Sequence, residues 1–260
     1  MSNLNKDFGI VILLGVLGTR QRVIDNIHEF LTDWNSVLNK LEENILILEH
    51  NLSRYCGYKT GIKTKDIYDN IQIFYPTVHP HTECLDLNES NSIWSSLQHS
   101  AELLTNLVRY GITRNIFLRG CISIGHIREY RSGYYSTAMI ENADLAKSVD
   151  MIGVIAGIPA MGILNNKMYI SSPRSHHFVK YRVPIKEPTR KRRNEFDRFA
   201  LLNLNSQSSI YDNVTDKEIE KKIQEQIQIY YNNASVRKKW ENTRSFINYL
   251  SHILDQNVFL

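Results

Sequence analysis

The sequence predicts an α/β protein, one sheet flanked by helices, and three observations carry that prediction. Apolar strand-forming runs recur between residues 8 and 170, long segments of helical periodicity separate them, and two amphipathic segments close the chain. The order is strand, helix, strand, helix, hairpin, helix, strand. Two β-α-β halves with an antiparallel hairpin make an α/β (α+β) sheet of the ferredoxin-like βαββαβ kind, here with a C-terminal helical extension.

The first strand lies in DFGIVILLGVLGTRQ and runs from about Phe8 to Leu17. Gly15 stands out in it, because glycine weakens a strand and offers no side chain to pack. The stripe Ile24, Ile27, Leu31, Trp34, Leu38, Leu41, Ile45, Leu48 and Leu52 then advances in alternating steps of three and four, which predicts one long helix. A coiled coil is the competing use of such a stripe. The strands on either side favour packing on a sheet instead.

DIYDNIQIFYP, from Asp66 to Pro76, reads as the second strand, with Gly57 and Gly61 ahead of it as turn formers. A polar loop follows to about Ser92. The next helix carries Ile93, Leu97, Ala101, Leu104 and Val108 on one face. NIFLRGCISIGHIREYRSG reads as two strands joined by a tight turn near Gly125, and STAMIENADLAKSV as a short helix. Ile152–Ile155 and Met168–Ile170 read as further strands. After Pro184 the composition changes: KEPTRKRRNEFDR is a basic connector, and two amphipathic helices follow it. Thr215 and Glu218 have the spacing of a capping box at the start of the first. The expected division is a domain over residues 1–184 and a connector with helices over 185–260.

The apolar share of 42%, the charged share of 22% and a net charge of +4 belong to an ordinary globular protein. That mild positive charge suits an anionic small molecule and does not by itself select nucleic acid. TRKRR at 189–193 is followed at once by Glu195 and Asp197, which favours a solvated linker and disfavours a nucleic-acid partner. HPHTEC at 79–84 offers His, Glu and Cys but no second cluster, so it reads as a polar loop. Cys56, Cys84 and Cys121 are widely spaced, which argues against a disulfide framework and for a reducing compartment. No stretch reads as a signal peptide, and no apolar run approaches the ~20 residues of a membrane-spanning helix. The expected location is the cytoplasm, with no membrane partner.

Three segments in order resemble class III nucleotide cyclases. ILLGVLGT resembles their first strand, an apolar run followed by Asp-apolar-apolar-Gly. IYDNIQIF resembles the segment that carries a second Asp, and FLRGCISIG the Arg-Gly-x-Ile-x-x-Gly hairpin of bacterial members, pyrimidine cyclases among them. STAMIENADL falls where those proteins have the next helix, and WENTRSFI is similar to the tail of stand-alone homologues. The resemblance covers roughly residues 8 to 170.

What it implies is a reaction in which the ribose 3′ oxygen of a nucleoside triphosphate attacks its own α-phosphate and expels pyrophosphate. Two Mg²⁺ or Mn²⁺ ions, held by two aspartates on adjacent strands, supply the charge. Asp69 matches the second aspartate and is the implied metal ligand. The first should stand at Gly15, where the carboxylate is missing. Gly18 and Thr19 would offer main-chain groups to phosphate, Lys65 matches a base-reading lysine, and Arg119 matches the hairpin arginine as the implied catalytic cation. The family's Asn and Arg should fall near Ile140 and Asp144, and neither matches. The family also implies a homodimer, or a pair with a partner cyclase subunit. Three readings therefore stand: a divergent cyclase, a degenerate nucleotide-binding or regulatory subunit, and an unrelated α/β structural protein.

Overall fold

A computed structural model describes residues 8–56, 61–76, 89–130, 133–168, 177–185, 199–201 and 214–255. The HPHTEC and TRKRR stretches lie outside them, as do residues 169 and 170. In chain order the elements are β1 (Phe8–Val16), α1 (Thr19–Cys56), β2 (Lys63–Ile67), β3 (Asn70–Pro76), α2 (Glu89–Thr113), β4 (Leu118–His126), β5 (Arg128–Tyr130) and β6 (Gly133–Tyr135). They continue with α3 (Thr137–Ser148), β7 (Gly153–Ala156), α4 (Ile158–Met168), β8 (Phe178–Lys180), β9 (Phe199–Leu201), α5 (Asp216–Ile229) and α6 (Ala234–Asp255).

The main sheet is mixed, with seven strands in the order β2-β3-β1-β4-β7-β9-β8. β1 is central and antiparallel to both β3 and β4, while β7 runs parallel to β4. Alternation along β1 sorts its side chains. Ile10, Ile12, Leu14 and Val16 join a core with α1 and α2, whereas Val11 sits on the opposite face with Phe74, Ile127 and Ala138. α3 covers only part of that second face. Its Asn142 donates to the Val11 carbonyl at 2.8 Å, next to the first half of β1.

Four expectations need correction. Asp66–Pro76 is not one strand: Tyr68 and Asp69 form a two-residue turn between β2 and β3, with Tyr68 at φ 57°. β4 runs straight through Gly125. The hairpin instead joins β5 and β6, and a Cβ at residue 125 would stand 3.1 Å from the Ala138 Cβ of α3, a close approach that glycine eases. Met168 ends a helix, α4, with Pro159 in its first turn, where a missing N–H costs nothing.

The fourth concerns α1, which is broken at Asn26 (φ −159°, ψ 91°). The Asn26 side chain accepts from the Glu29 N–H at 3.1 Å and donates to its carboxylate at 3.2 Å, capping the longer second part. Arg22 bridges the break by pairing with Asp33 at 2.7 Å. The break rotates the core-facing side onto Phe30, Trp34, Val37 and Leu41, leaving Ile24 68% and Ile27 47% exposed.

α5 and α6 share the sheet's core. Trp240 is 2% exposed and meets Phe117 edge-to-face at 4.4 Å, and Ile219, Ile223 and Phe246 join the same cluster. The fully buried Arg109 of α2 pairs with Asp216 at 2.8 Å and donates to the Val214 carbonyl. The Thr215–Glu218 capping box forms as expected.

Truncating Trp240 to Ala should cost about 3–5 kcal/mol and lower the melting temperature of the sheet together with the helices. Circular dichroism showing loss of the C-terminal helices alone, with the sheet signal unmoved, would contradict a shared core. The capping box also predicts a pH effect. Hydrogen bonds from Thr215 hold the Glu218 carboxyl below its ordinary value of 4.5. Its stabilising contribution is thus present above that value and fades as pH falls through the lowered one. The stability difference between the wild type and Glu218→Gln should shrink on acidification in urea titrations.

Candidate functional site

β1 has neighbours on both sides, and their registers meet at one residue. Gly15 lies opposite Asn70 on β3 and opposite Arg119 on β4. Side chains at these paired positions point to the second face of the sheet, beyond the part that α3 covers, and all three residues are half-buried. Lys65 shares that face: it pairs with Gln72, two residues along from Asn70, a rise of about 7 Å.

Asp69 is placed by its turn. Its carbonyl accepts from the Val16 N–H at 3.0 Å, and its carboxylate accepts from the Asn70 Nδ2 at 2.8 Å. Residue 15 and the turn residue Asp69 are therefore immediate neighbours. Tyr68, ahead of it, is 93% exposed.

The Arg119 guanidinium is held below its ordinary pKa by burial, a shift opposed by the carboxylates of Asp150 and Asp69. It also donates to the Val149 carbonyl at 3.4 Å. Asp150 owes its place to the C-terminal half: its N–H donates to the Pro184 carbonyl at 2.9 Å, and its carbonyl accepts from Asn242 at 2.8 Å. The room beside Gly15 is taken. A Cβ there would stand 2.9 Å from the Asn70 Oδ1, so that amide occupies the space a residue-15 side chain would enter.

The strand-to-helix turn follows directly. Gly18 has φ 80°, with nothing within 4 Å of the position an added methyl group would take, so its glycine serves backbone conformation and not packing. The Thr19 hydroxyl donates back to the Val16 carbonyl at 3.1 Å. The first N–H groups of α1 have no acceptor within the helix. The break at Asn26 makes this first segment short, so those N–H groups, not a long aligned dipole, are what it offers.

Behind the turn, on the helical side, a cleft of about 310 Å³ is lined by Gly18, Arg22, Phe117, Lys222 and Trp240 among others. Its cations are engaged, Arg22 with Asp33 at 2.7 Å and Lys222 with Glu225 at 3.5 Å.

Of the residues singled out in the sequence, Gly15 and Arg119 lie opposite each other with Asp69 in the turn beside them, Lys65 shares their face on the edge strand β2, and Gly18 and Thr19 follow at the end of β1. Ile140 (71% exposed) and Asp144 lie on the outer side of α3. The sequence reading missed Asn70 and Asp150. Asn70 directly follows Asp69, and an Asp-Asn pair is a turn signal that would have moved the strand boundary. Nothing local marks Asp150.

Replacing Gly18 with Ala should cost about 1 kcal/mol through backbone strain alone. The check is a lower urea midpoint at unchanged m-value. An unshifted midpoint would show that the turn tolerates a side chain.

No family model matches the chain, and no curated protein matches it. Among solved structures it is similar to a bacterial light-regulated adenylyl cyclase, at 11% identity and a TM-score of 0.41, over 84% of this chain and 97% of that one. A likeness that distant assigns no residue a role. Among the described residues no helix is long and apolar enough to cross a membrane.

Proposed function

We propose that the chain is a cyclase-like domain that binds a nucleotide on the β1–β3–β4 face and does not turn it over unaided. The observation that carries this reading is the pairing of Gly15 with Arg119 across β1 and β4, with Asp69 in the turn beside them and Lys65 on the same face at the edge strand β2. The strand order supports the ferredoxin-like arrangement: β4-β1-β3-β2 are mutually antiparallel, with α1 and α2 as the two crossovers.

Each group has a part. Arg119 binds phosphate oxygens through its planar fork, and the turn at Gly18 and Thr19 adds main-chain N–H groups. Lys65, one register step along, meets the base or the outer phosphates. Asp69 accepts a hydrogen bond from a ribose hydroxyl.

The Mg²⁺ or Mn²⁺ pair that the family uses does not fit this donor set. Two hard dications need anionic oxygen, and the carboxylates here, Asp69 and Asp150, already face the Arg119 guanidinium. The chemistry such a pair supplies is ionisation of the attacking hydroxyl and neutralisation of the triphosphate. No step here is routed through it. A homodimer, or a partner subunit that brings the missing carboxylate, is part of the proposal. The exposed Tyr135 and Ile140 flank the start of α3 and give such a partner apolar surface.

Calorimetry with ATP, GTP, CTP and UTP tests the reading, alongside an assay for cyclic product in Mn²⁺. At least one nucleotide should bind with no product formed, and Arg119→Ala should weaken that binding about 10–100-fold, the worth of a charged hydrogen-bond pair. Steady cyclic product would overturn the claim of no turnover. Absence of binding by all four would overturn the whole.

A further inference from the structure

We infer that Asn70 closes the residue-15 position to a second metal ligand, so that this face takes a nucleotide as the free anion and not as its magnesium complex. The inference rests on the nucleotide-binding reading above, and it concerns what that ligand carries.

Had residue 15 only lost a carboxylate, an emptied place would remain beside Asp69. It does not. The Asn70 Oδ1 stands 2.9 Å from where a residue-15 Cβ would begin, and the Nδ2 of the same amide donates to the Asp69 carboxylate at 2.8 Å. One neutral side chain thus does two things: it fills the vacated space, and it uses an oxygen of the remaining carboxylate. Asn70 is a short side chain whose end can rotate, and a residue placed at 15 displaces its Oδ1 and with it disturbs the hydrogen bond to Asp69.

Charge points the same way. A metal pair brings four positive charges to a face where the carboxylates of Asp150 and Asp69 already face the Arg119 guanidinium. A free phosphate brings the opposite sign to the same guanidinium.

Gly15 and Asn70 are on this account a matched pair, and restoring Asp at 15 alone should fail. The test uses the full chain as wild type, Gly15→Asp, Asn70→Ala and the double variant, each checked for folding by circular dichroism. Binding of Mn²⁺ alone, followed by the electron paramagnetic resonance of the free ion, should tighten at least tenfold in the double variant. In Gly15→Asp it should change by less than about threefold, a coupling expected of residues in contact. Calorimetry with ATP and UTP should show the wild type binding at least tenfold tighter in EDTA than in excess Mg²⁺, with the order reversed in the double variant.

Equal Mn²⁺ affinity in the single and double variants overturns the inference, as does tighter wild-type binding in Mg²⁺. A second pair of variants serves if the aspartates fold poorly. Gly15→Ala should lower the melting temperature by about 2–4 °C in the wild type and by less than about 1 °C in the Asn70→Ala background. Equal losses in the two backgrounds refute the contact. Failure of every nucleotide to bind removes the function proposed above and with it the free-anion claim. The Mn²⁺ and melting results then still decide whether Asn70 closes the position.

Discussion

A central strand with an antiparallel partner on each side leaves its residues no freedom of register, and β1 is in that position. A slip of one residue against either β3 or β4 would send Ile10, Ile12 and Leu14 to the open face and Val11 into the helical core. The burial of those side chains, each worth about 1.5–3 kcal/mol, therefore fixes which residues flank Gly15. The candidate site is a by-product of core packing on the far side of the same strand. Its backbone is placed by the same hydrogen-bond ladders that hold the core.

The C-terminal helices reach the site through Asp150. Thr243 of α6 accepts from the Ile152 N–H at 3.0 Å, and Asn242 donates to the Asp150 carbonyl at 2.8 Å. These contacts pin the segment that feeds β7, next to the guanidinium of Arg119. What looked in the sequence like an appendage after residue 184 thus shares a core with the sheet and helps set the charge around the site. The buried Arg109–Asp216 pair ties the start of α5 to α2 in the same way. Removing either partner of such a pair is costlier than never having had it, because the remaining group is left without its counter-charge.

Elements governed by local chemistry were legible in the sequence. β1, α2, α5 and α6 follow from periodicity, and the Thr215–Glu218 cap from spacing. Two of the failures share one physical form: a residue whose local signal was overruled by a contact distant in sequence. Gly125 is a turn former by type but a close-approach residue in fact, with α3 lying against it. Tyr68 carries no turn signal, yet it takes a left-handed conformation because β3 must pair with β1. The stripe of α1 fits a heptad, but the Asn26 cap rotates the helix, so Ile24 and Ile27 face outward. For the site, the adjacency of residue 15 and Asp69 was readable through the family pattern. The role of Asn70 was not, since it exists only through a cross-strand register that no single segment records.

On the resemblance alone, Gly15 would be no more than a missing carboxylate. The sheet shows why that description is incomplete. Every position on β1 is seen by two other strands, so a change of side chain there alters the volume and charge available to both. On the β3 side an amide stands in the space, and its hydrogen bond orients Asp69. On the β4 side a guanidinium, its charge disfavoured by burial but supported by Asp69 and Asp150, holds the remaining anion in balance. The three strands together form a nearly neutral, closed set of polar groups. The chemistry of this face must therefore be read from the pair of neighbours and not from the glycine between them.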